Sequence, residues 1–459
     1  MLAFDAVRRR SPRSTLAAAL ALAIALAGAC AKWQQEPARH IASTPGAGSA
    51  VAPASAGAGG GAASADAERE AERLEAVARR LAVMSRELMQ FWKTHGPDRE
   101  HGGFHGFLDR RGQPGAVTDK GIIQQSRHLW TFSMWYARRE PSPEIKAIAD
   151  DTYRFIVRHF RDQDGEYRFK VTRQGASVEA KKVLYAQAFA IYGLSEYARA
   201  FGVREASDKA LECFRSIDRR AHDAVNGGYD QRRDPAWLPP GSEKETNTHL
   251  HLMEAFARLY DVTRDASVRE RLEELVRVFN DRIVQPQGYA HKDFLIDWKP
   301  FGPQTVSYGH DLESAWLLRE AARSLGRPDD ARVAEIATRI GLHSAERGFD
   351  LENGGYFEEG PLDGAPAKLE KIWWVQAEAV PALVELHRLT RRPELLGWLE
   401  RTLDFVERSQ RDAEYGEWYW GILPNGAVGP HGDHKGEEWK ASYHGVRALV
   451  FAEDWLRGR

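Results

Sequence analysis

Six short polar clusters, each opening an otherwise apolar helical segment, hold the residues able to do chemistry. The first two are Gln124-Gln125-Ser126-Arg127-His128 and Leu184-Tyr185-Ala186-Gln187. The third is Asn247-Thr248-His249-Leu250-His251 with Glu254, and the fourth Ser307-Tyr308-Gly309-His310-Asp311 with Glu313. The last two are Trp373-Trp374-Val375-Gln376 with Glu378, and Trp439-Lys440-Ala441-Ser442-Tyr443-His444. Imidazole titrates near neutral pH, so the histidines suit proton transfer without large tuning. His251 and Glu254 are three residues apart and share a helix face, as do His310 and Glu313. A His-x-x-Glu pair can hold a metal ion, but its carboxylate can equally orient an imidazole and raise its basicity. No third ligand with a metal-site signature accompanies either pair, so the second reading is preferred and no metal is expected. Taken singly, Arg127 suits a buried ion pair, each histidine a satisfied core group, and Trp373 and Trp374 packing. Arg127, His251, His310 and His444, however, lie 124, 59 and 134 residues apart, close to two, one and two units of a repeat. Polar groups without partners are costly in an apolar interior. A polar layer at every such helix start therefore predicts a pocket at one mouth of the fold.

The elements that place these clusters form a sixfold repeat. Glycine-aromatic marks recur at Gly102-Gly103-Phe104, Gly165-Glu166-Tyr167, Gly227-Gly228-Tyr229, Gly288-Tyr289, Gly354-Gly355-Tyr356 and Gly416-Glu417-Trp418. From Gly103 to Gly416 they step by 62, 63, 60, 67 and 61 residues, and a regular period over most of a chain signals a repeat architecture. Between the marks lie two helical patterns per unit. The charged amphipathic set, 67–92, 143–160, 204–217, 266–283, 328–344 and 393–409, belongs outside. The apolar and aromatic set, 121–138, 182–200, 246–261, 309–324, 373–389 and 440–456, belongs inside. Twelve helices in six pairs predict an all-α (α/α)6 barrel with short β-hairpins at one end. Closure is preferred to an open solenoid, because a solenoid needs polar caps and the last helix contains Ala448-Leu449-Val450-Phe451.

Charge and composition exclude other classes. Lys plus Arg is 64 against 66 for Asp plus Glu, a net charge of −2, without the basic excess of a nucleic-acid binder. Cys30 and Cys213 are the two cysteines, too few for a disulfide framework or a cysteine zinc site. The 14 Trp and 16 His suit sugar chemistry, since indoles stack on pyranose faces and imidazoles move protons. At the N-terminus Arg8, Arg9, Arg10 and Arg13 precede an apolar run from Leu16 to Ala29, the pattern of an export signal. The run ends Leu26-Ala27-Gly28-Ala29-Cys30, which resembles a bacterial lipobox and makes Cys30 a candidate for lipidation. Residues 31–66, rich in Ala, Gly, Ser and Pro from 41 onward, read as a flexible tether. The folded domain is expected over 67–459, exported and held at a membrane by the lipid.

Four segments together carry a family resemblance: Asn247–Ala255 (Asn-Thr-His-Leu-His-x-x-Glu-Ala), Ser307–Glu313 (Ser-Tyr-Gly-His-Asp-x-Glu), Trp373–Glu378 (Trp-Trp-x-Gln-Ala-Glu) and Trp439–His444 (Trp-Lys-x-x-Tyr-His). In order and spacing the chain, from about residue 75 onward, resembles the N-acylglucosamine 2-epimerase superfamily, and within it the cellobiose 2-epimerases. The resemblance implies an (α/α)6 barrel, interconversion of an aldose with its C2 epimer, and no metal or nucleotide cofactor. It implies a paired-histidine mechanism on His251 and His444, an oxygen-binding arginine at Arg127, and sugar platforms at Trp374 and Trp418. Glu254 would orient His251. His310, Asp311, Glu313 and Glu378 would bind hydroxyls or assist ring opening, and Asn247, Trp373 and Tyr443 would complete the sugar pocket beside Gln187. Three departures stand out. Gln187-Ala188-Phe189 replaces a His-Ala-Phe of wider members, Ala441-Ser442 replaces a Cys-Pro, and an export signal is present. The alternatives are an aldose–ketose isomerase or N-acylglucosamine epimerase on the same scaffold, a glycoside hydrolase of the same barrel class using two carboxylates, and a non-catalytic glycan-binding lipoprotein.

Overall fold

The computed structural model describes residues 59–231 and 243–459. The chain divides into two units, Met1–Ala62 and Ala63–Arg459. Only residues 59–62 of the first are described, and Cys30 and the apolar run before it lie outside the described residues. Among the described residues no helix is long and apolar enough to cross a membrane.

Among the described residues, twelve α-helices alternate between two concentric layers. The outer ones are α1 (Gly59–His95), α3 (Pro143–His159), α5 (Arg204–Ala221), α7 (Ala266–Val278), α9 (Ala331–Gly348) and α11 (Pro393–Phe405). The inner ones are α2 (Ile122–Arg138), α4 (Leu184–Phe201), α6 (Thr246–Thr263), α8 (Tyr308–Ser324), α10 (Trp373–Thr390) and α12 (Tyr443–Leu456). Single π turns, Phe279–Ile283 and Val406–Gln410, extend α7 and α11. Amphipathicity sorts the layers. In α3 the buried residues Ile145, Ile148, Ala149, Thr152, Tyr153, Phe155 and Ile156 form one stripe, whereas α2 is buried at every position from Ile122 to Trp135. Three outer helices begin with side-chain caps: Ser142 accepts from the Ile145 amide, Asp265 from Ser267 and Val268, and Asp330 from Arg332 and Val333. Each inner helix packs against the next, and α12 packs against α2. Arg138 and Arg139 at the end of α2 pair with Asp454 of α12 at 2.8 Å. The ring is closed.

Among the described residues, ten strands of two or three residues form small antiparallel sheets: β1 (Lys120–Gly121), β2 (Lys170–Val171) and β3 (Ser177–Glu179) in one, and β4 (Lys244–Glu245), β5 (Asp293–Phe294) and β6 (Pro300–Phe301) in a second. Then β7 (Thr305–Ser307) pairs with β8 (Glu359–Pro361), and β9 (Lys371–Ile372) with β10 (Gly421–Ile422). Each sheet joins consecutive units ahead of an inner helix. Each of the six sequence marks closes on itself by one bridge: Pro97 to Phe104, Arg161 to Tyr167, His222 to Tyr229, Val284 to Ala290, Phe349 to Tyr356, and Arg411 to Trp418. Glycine is required in these turns; at Gly355, φ is +75° and a Cβ would lie 2.7 Å from the Phe405 ring.

Helix ends move by up to eight residues from the sequence expectation, and two of these shifts have a local cause. Helix α1 starts at Gly59, inside the segment read as a tether, where alanine favours helix. Helix α12 starts at Tyr443 rather than 440, because Glu437 Oε1 accepts from the Trp439 and Lys440 amides and bends the chain into a turn.

Candidate active site

The first turns of the inner helices carry two rings of side chains. One ring fastens the hairpins. Gln125 Oε1 accepts from the Phe104 amide at 2.8 Å and its Nε2 donates to the Phe104 carbonyl at 3.0 Å. Gln187 does the same for Tyr167 at 2.8 and 2.7 Å, and Gln376 for Tyr356 at 2.7 and 2.7 Å. His249 Nε2 accepts from the Tyr229 amide at 2.9 Å, and Asp311 Oδ1 from the Ala290 amide at 3.2 Å. Buried lysines brace the same turns from below. Lys120 Nζ reaches Asp98 and the Gly102 carbonyl, Lys244 reaches Asp223 and the Gly227 carbonyl, and Lys371 reaches Asp350 and the Gly354 carbonyl.

This ring corrects two site assignments. Gln187 and Asp311, expected to touch sugar, are spent on the backbone. Asp311 also takes the Ser344 hydroxyl at 2.8 Å, and burial pushes its carboxyl up to about 8. Burial likewise lowers His249 to about 4, so it stays neutral and its Nε2 remains an acceptor.

Two residues further along each helix stands the second ring: Arg127, Phe189, His251, Glu313, Glu378 and, on α12, His444. His251 Nδ1 lies 2.9 Å from Glu254 Oε2, one helical turn away on α6. His444 Nδ1 lies 2.6 Å from Glu378 Oε1 on α10. With Nδ1 held by a carboxylate, each ring is left with Nε2 on its opposite side. Arg447, on α12 one turn beyond His444, ties the carboxylates together. Its Nη2 donates to Glu313 Oε1 and Glu378 Oε1 at 2.6 Å each, and its Nη1 to Glu254 Oε1 and the Tyr443 hydroxyl. Tyr443 also donates to Glu254.

Burial dominates the electrostatics. It lowers His444 well below the usual imidazole value, reinforced by Arg127 and Arg447, and lowers His310 to about 3. Both are therefore neutral, the form a base needs. Burial, with Glu378 nearby, raises Glu313 to about 7. Burial also pushes Glu254 upward, but Arg447 and His251 outweigh it and hold Glu254 down at about 2. Glu313, Glu378 and His444 bring ligand atoms within 4.8 Å of one another, spacing a metal ion could use. The cation those two carboxylates face, however, is the Arg447 guanidinium.

Arg127 Nη2 donates to the Tyr185 hydroxyl at 2.8 Å and Nη1 to the Trp439 carbonyl at 2.6 Å, with the guanidinium over the Phe189 ring. The Trp374 ring lies 4.7 Å from His310 and 5.9 Å from His444. Asn247 is half-buried in the first turn of α6.

Several expectations change. His310 does not pair with Glu313; its Nδ1 meets Ser307 Oγ at 2.8 Å. Nor is it equivalent to His251, for it sits one residue before the clamp Asp311, and Glu313 holds the equivalent place. Trp373 is buried against Trp420, ring centres 4.2 Å apart. Trp418 is 2% exposed and sits with Leu88 and Phe91 of α1. Neither is a sugar platform. Tyr443, fully buried, braces Glu254 rather than lining the pocket. Sequence reasoning missed Trp439, 44% exposed beside Arg127 and 6.1 Å from the Tyr185 ring. It also missed Arg447, although the spacing His444-x-x-Arg447 puts both on one helix face, the signal already used at His251 and Glu254.

The comparisons with known proteins agree with this architecture. Residues 102–448 match the family model N-acylglucosamine 2-epimerase (GlcNAc 2-epimerase). A cellobiose 2-epimerase of Bacteroides fragilis is 32% identical over 388 residues, covering 80% of this chain and 96% of that protein. One from Dictyoglomus turgidum is 29% identical, covering 80% and 95%. The solved structure of cellobiose 2-epimerase from Spirochaeta thermophila superposes with a TM-score of 0.77 at 32% identity, covering 84% of this chain and 98% of that one. With its six-unit barrel and its ring of His, Glu and Arg at one mouth, this chain belongs to the N-acylglucosamine 2-epimerase family.

Proposed function

We propose that the protein is a sugar 2-epimerase that interconverts an aldose, or the reducing-end glucose of a β-linked disaccharide such as cellobiose, with its C2 epimer. The observation that carries the reading is the pair of imidazoles His251 and His444. They stand on α6 and α12, three units apart in a six-unit ring, each with Nδ1 on a buried carboxylate. The open-chain sugar presents a C1 aldehyde. One neutral imidazole removes the C2 proton, and the electron pair moves into a planar cis-enediolate. The other imidazole, having taken a proton from solvent, gives it to the opposite face of C2 and inverts that carbon, while the first imidazole releases its proton to solvent. Charge developing on O1 and O2 falls to Arg127, an electrostatic role that is commonly the largest single contribution. Trp374 and Trp439 offer faces for the sugar to stack on. The carboxylates Glu254, Glu313 and Glu378 are bound to Arg447, which disfavours a hydrolase needing one free acid and one free base.

His310 supports a second assignment of the base opposite His444. It is more open than the 2%-exposed His251, and its ring and that of His444 both meet Trp374. In that assignment His251 polarises the oxygens.

Heavy water separates the possibilities. Incubated with cellobiose, glucose and N-acetylglucosamine, an epimerase places solvent deuterium at C2 of an inverted product. A hydrolase releases glucose without label, and a binding protein changes nothing. Either of the last two results overturns the proposal.

We further propose export and lipidation at Cys30, supported by Arg8–Arg13, the apolar run and the terminal Ala-Gly-Ala-Cys. Wild type should fractionate with membranes and Cys30→Ala should not; identical soluble fractions would reject the anchor.

A further inference from the structure

Between the sixth hairpin and α12 the chain makes a turn, 435–440, that offers two groups to the pocket. One is the Trp439 indole, 44% exposed at the rim. The other is the Trp439 carbonyl, which accepts from Arg127 Nη1 at 2.6 Å. Tyr185 holds only the other end of the guanidinium, Nη2, at 2.8 Å. The direction of Arg127 therefore depends on where this turn places its carbonyl.

The two ends of the turn are tied to different units. The Lys435 amide donates to the Leu108 carbonyl, and the Leu108 amide to the Gly436 carbonyl, both at 2.9 Å. At the other end Lys440 Nζ donates to the Trp418 carbonyl at 2.6 Å and the Lys435 carbonyl at 3.1 Å, and it meets Glu417. Glu417 holds a left-handed backbone, φ +57°, at the place where the first, third and fifth marks have Gly103, Gly228 and Gly355. A non-glycine residue in that region is strained, and here its carboxylate is what reaches Lys440. Between these anchors one side chain closes the turn. Glu437 Oε1 accepts from the Trp439 amide at 2.7 Å and from the Lys440 amide at 2.9 Å.

Those two amides belong to the peptide units on either side of the Trp439 Cα. A trans peptide is planar, with its N–H and C=O pointing opposite ways. Holding the Lys440 N–H on Glu437 thus turns the Trp439 carbonyl away from Glu437, toward Arg127. Holding the Trp439 N–H as well fixes the second plane, and with it the direction in which the indole leaves the backbone.

We propose that Glu437 is a positioning residue of the pocket: by closing the turn 435–440 it sets, from one place, the carbonyl that aims Arg127 and the indole face of Trp439. The inference rests on the proposed reading of Arg127 and Trp439 as groups that meet the sugar. The two settings act on different parts of a substrate. Arg127 serves the charge that develops on the reacting ring, so its aim governs kcat. Trp374, against His310 and His444, faces that same ring. Trp439, at the rim, faces whatever sugar is linked to it.

Glu437→Ala opens the turn. Its kcat should fall by about 10- to 100-fold on every sugar that wild type turns over, the cost of a small misplacement of a charged group. KM for cellobiose should also rise by about fivefold, the order of one lost aromatic contact. Glucose has no outer ring, and its KM, or its inhibition constant against cellobiose, should stay within about twofold. Glu437→Gln keeps an oxygen for both amides and should restore kcat and the preference for cellobiose. Where Glu437→Ala fails to fold, Glu437→Asp, one methylene too short to span both amides, is read the same way. A folded variant with wild-type kcat and an unchanged ratio of cellobiose to glucose constants, whatever its melting temperature, overturns the proposal. So does a Glu437→Gln variant as impaired as Glu437→Ala, since charge and not closure of the turn would then be at work. Calorimetric titration with cellobiose and glucose gives a readout independent of turnover. Should wild type place no deuterium at C2, the reading of function fails while these titrations still judge Glu437; if Glu437→Ala binds the two sugars in the wild-type ratio, the positioning role is wrong.

Discussion

The clamp ring and the site ring lie two residues apart on the same inner helices, yet they differ in kind. Gln125, Gln187, His249, Asp311 and Gln376 all present an acceptor to one hairpin amide. Three residue types perform one task. In the site ring, Arg127, Phe189, His251, Glu313, Glu378 and His444 mix four residue types, and among neighbours only Glu313 and Glu378 are alike. Repetition marks what most units share in order to fold. Broken repetition marks what only the whole ring needs, because a pocket at a sixfold mouth must be asymmetric to hold an asymmetric sugar. A polar residue that keeps the repeat is thus a poor candidate for chemistry, and one that breaks it is a good one.

The largest expected effect breaks this contrast in the site ring. His444→Asn should lower epimerisation by about 10²–10⁴-fold, the usual contribution of an acid–base group, while unfolding stays near wild type. His251→Asn and His310→Asn, measured beside it, name the opposing base. The variant that loses inversion yet still exchanges C2 with heavy water identifies the face that remains served. If neither loses activity, both assignments of the second base fail.

In the clamp ring the contrast reverses. Gln376→Leu strips partners from the buried Tyr356 amide and carbonyl. Each orphaned group costs about 1–3 kcal/mol, so denaturant unfolding should show a loss of that order. Turnover per folded molecule should hold. A stable variant with impaired turnover would mean that the two rings are not separate.

Much of this was legible in the chain. The glycine-aromatic period located all six turns, and amphipathicity sorted twelve helices into two layers, because both signals are local and recur. Arg127, His251 and His444 could be read because their spacing follows the units. Gln187 and Asp311 were misjudged for a physical reason. Their partners are backbone amides about 20 residues upstream, at Tyr167 and Ala290, and a backbone donor leaves no residue type to notice. Trp418 and Trp373 look like sugar platforms by type, but burial decides their role and one-dimensional spacing does not report burial. Trp439 headed the sixth cluster without being given a role, because its exposure in the turn ahead of α12 is not read from spacing.

A smaller effect probes the one ionisable carboxyl in the clamp ring. Folding raises the Asp311 carboxyl to about 8 through burial, against about 3.9 in an unfolded chain. Below about pH 4 both states hold the proton and nothing is lost. As pH rises from there toward 8, the unfolded chain releases its proton and the folded one does not. Stability therefore falls across that window, by at most about 1.4 kcal/mol per pH unit. Asp311→Asn keeps an acceptor for the Ala290 amide and offers a donor to Ser344, without the titration. Its stability relative to wild type should improve steadily between pH 5 and pH 8 in denaturant melts. A difference that does not change with pH would show that Asp311 ionises in the fold.

The smallest effect is expected at Gln187, where wider relatives of this architecture carry histidine. If the position were part of the chemistry, Gln187→His should supply a missing group and raise turnover. The clamp ring argues otherwise, because the third unit already shows an imidazole doing this work. His249 Nε2 takes the Tyr229 amide at 2.9 Å, and its Nδ1 meets the Glu245 carbonyl four residues back at 2.7 Å. The corresponding carbonyl before Gln187 is that of Val183. An imidazole there could accept from Tyr167 in the same way, losing the donation that Gln187 Nε2 makes to the Tyr167 carbonyl and the weak thiol contact from Cys213. Gln187→His should thus cost no more than about 1 kcal/mol of stability, the net worth of one hydrogen bond, and leave epimerisation within about threefold. A tenfold rise in kcat would place the side chain at the substrate and remove the second unit from the clamp ring, and with it the rule that repeated polar residues belong to the fold.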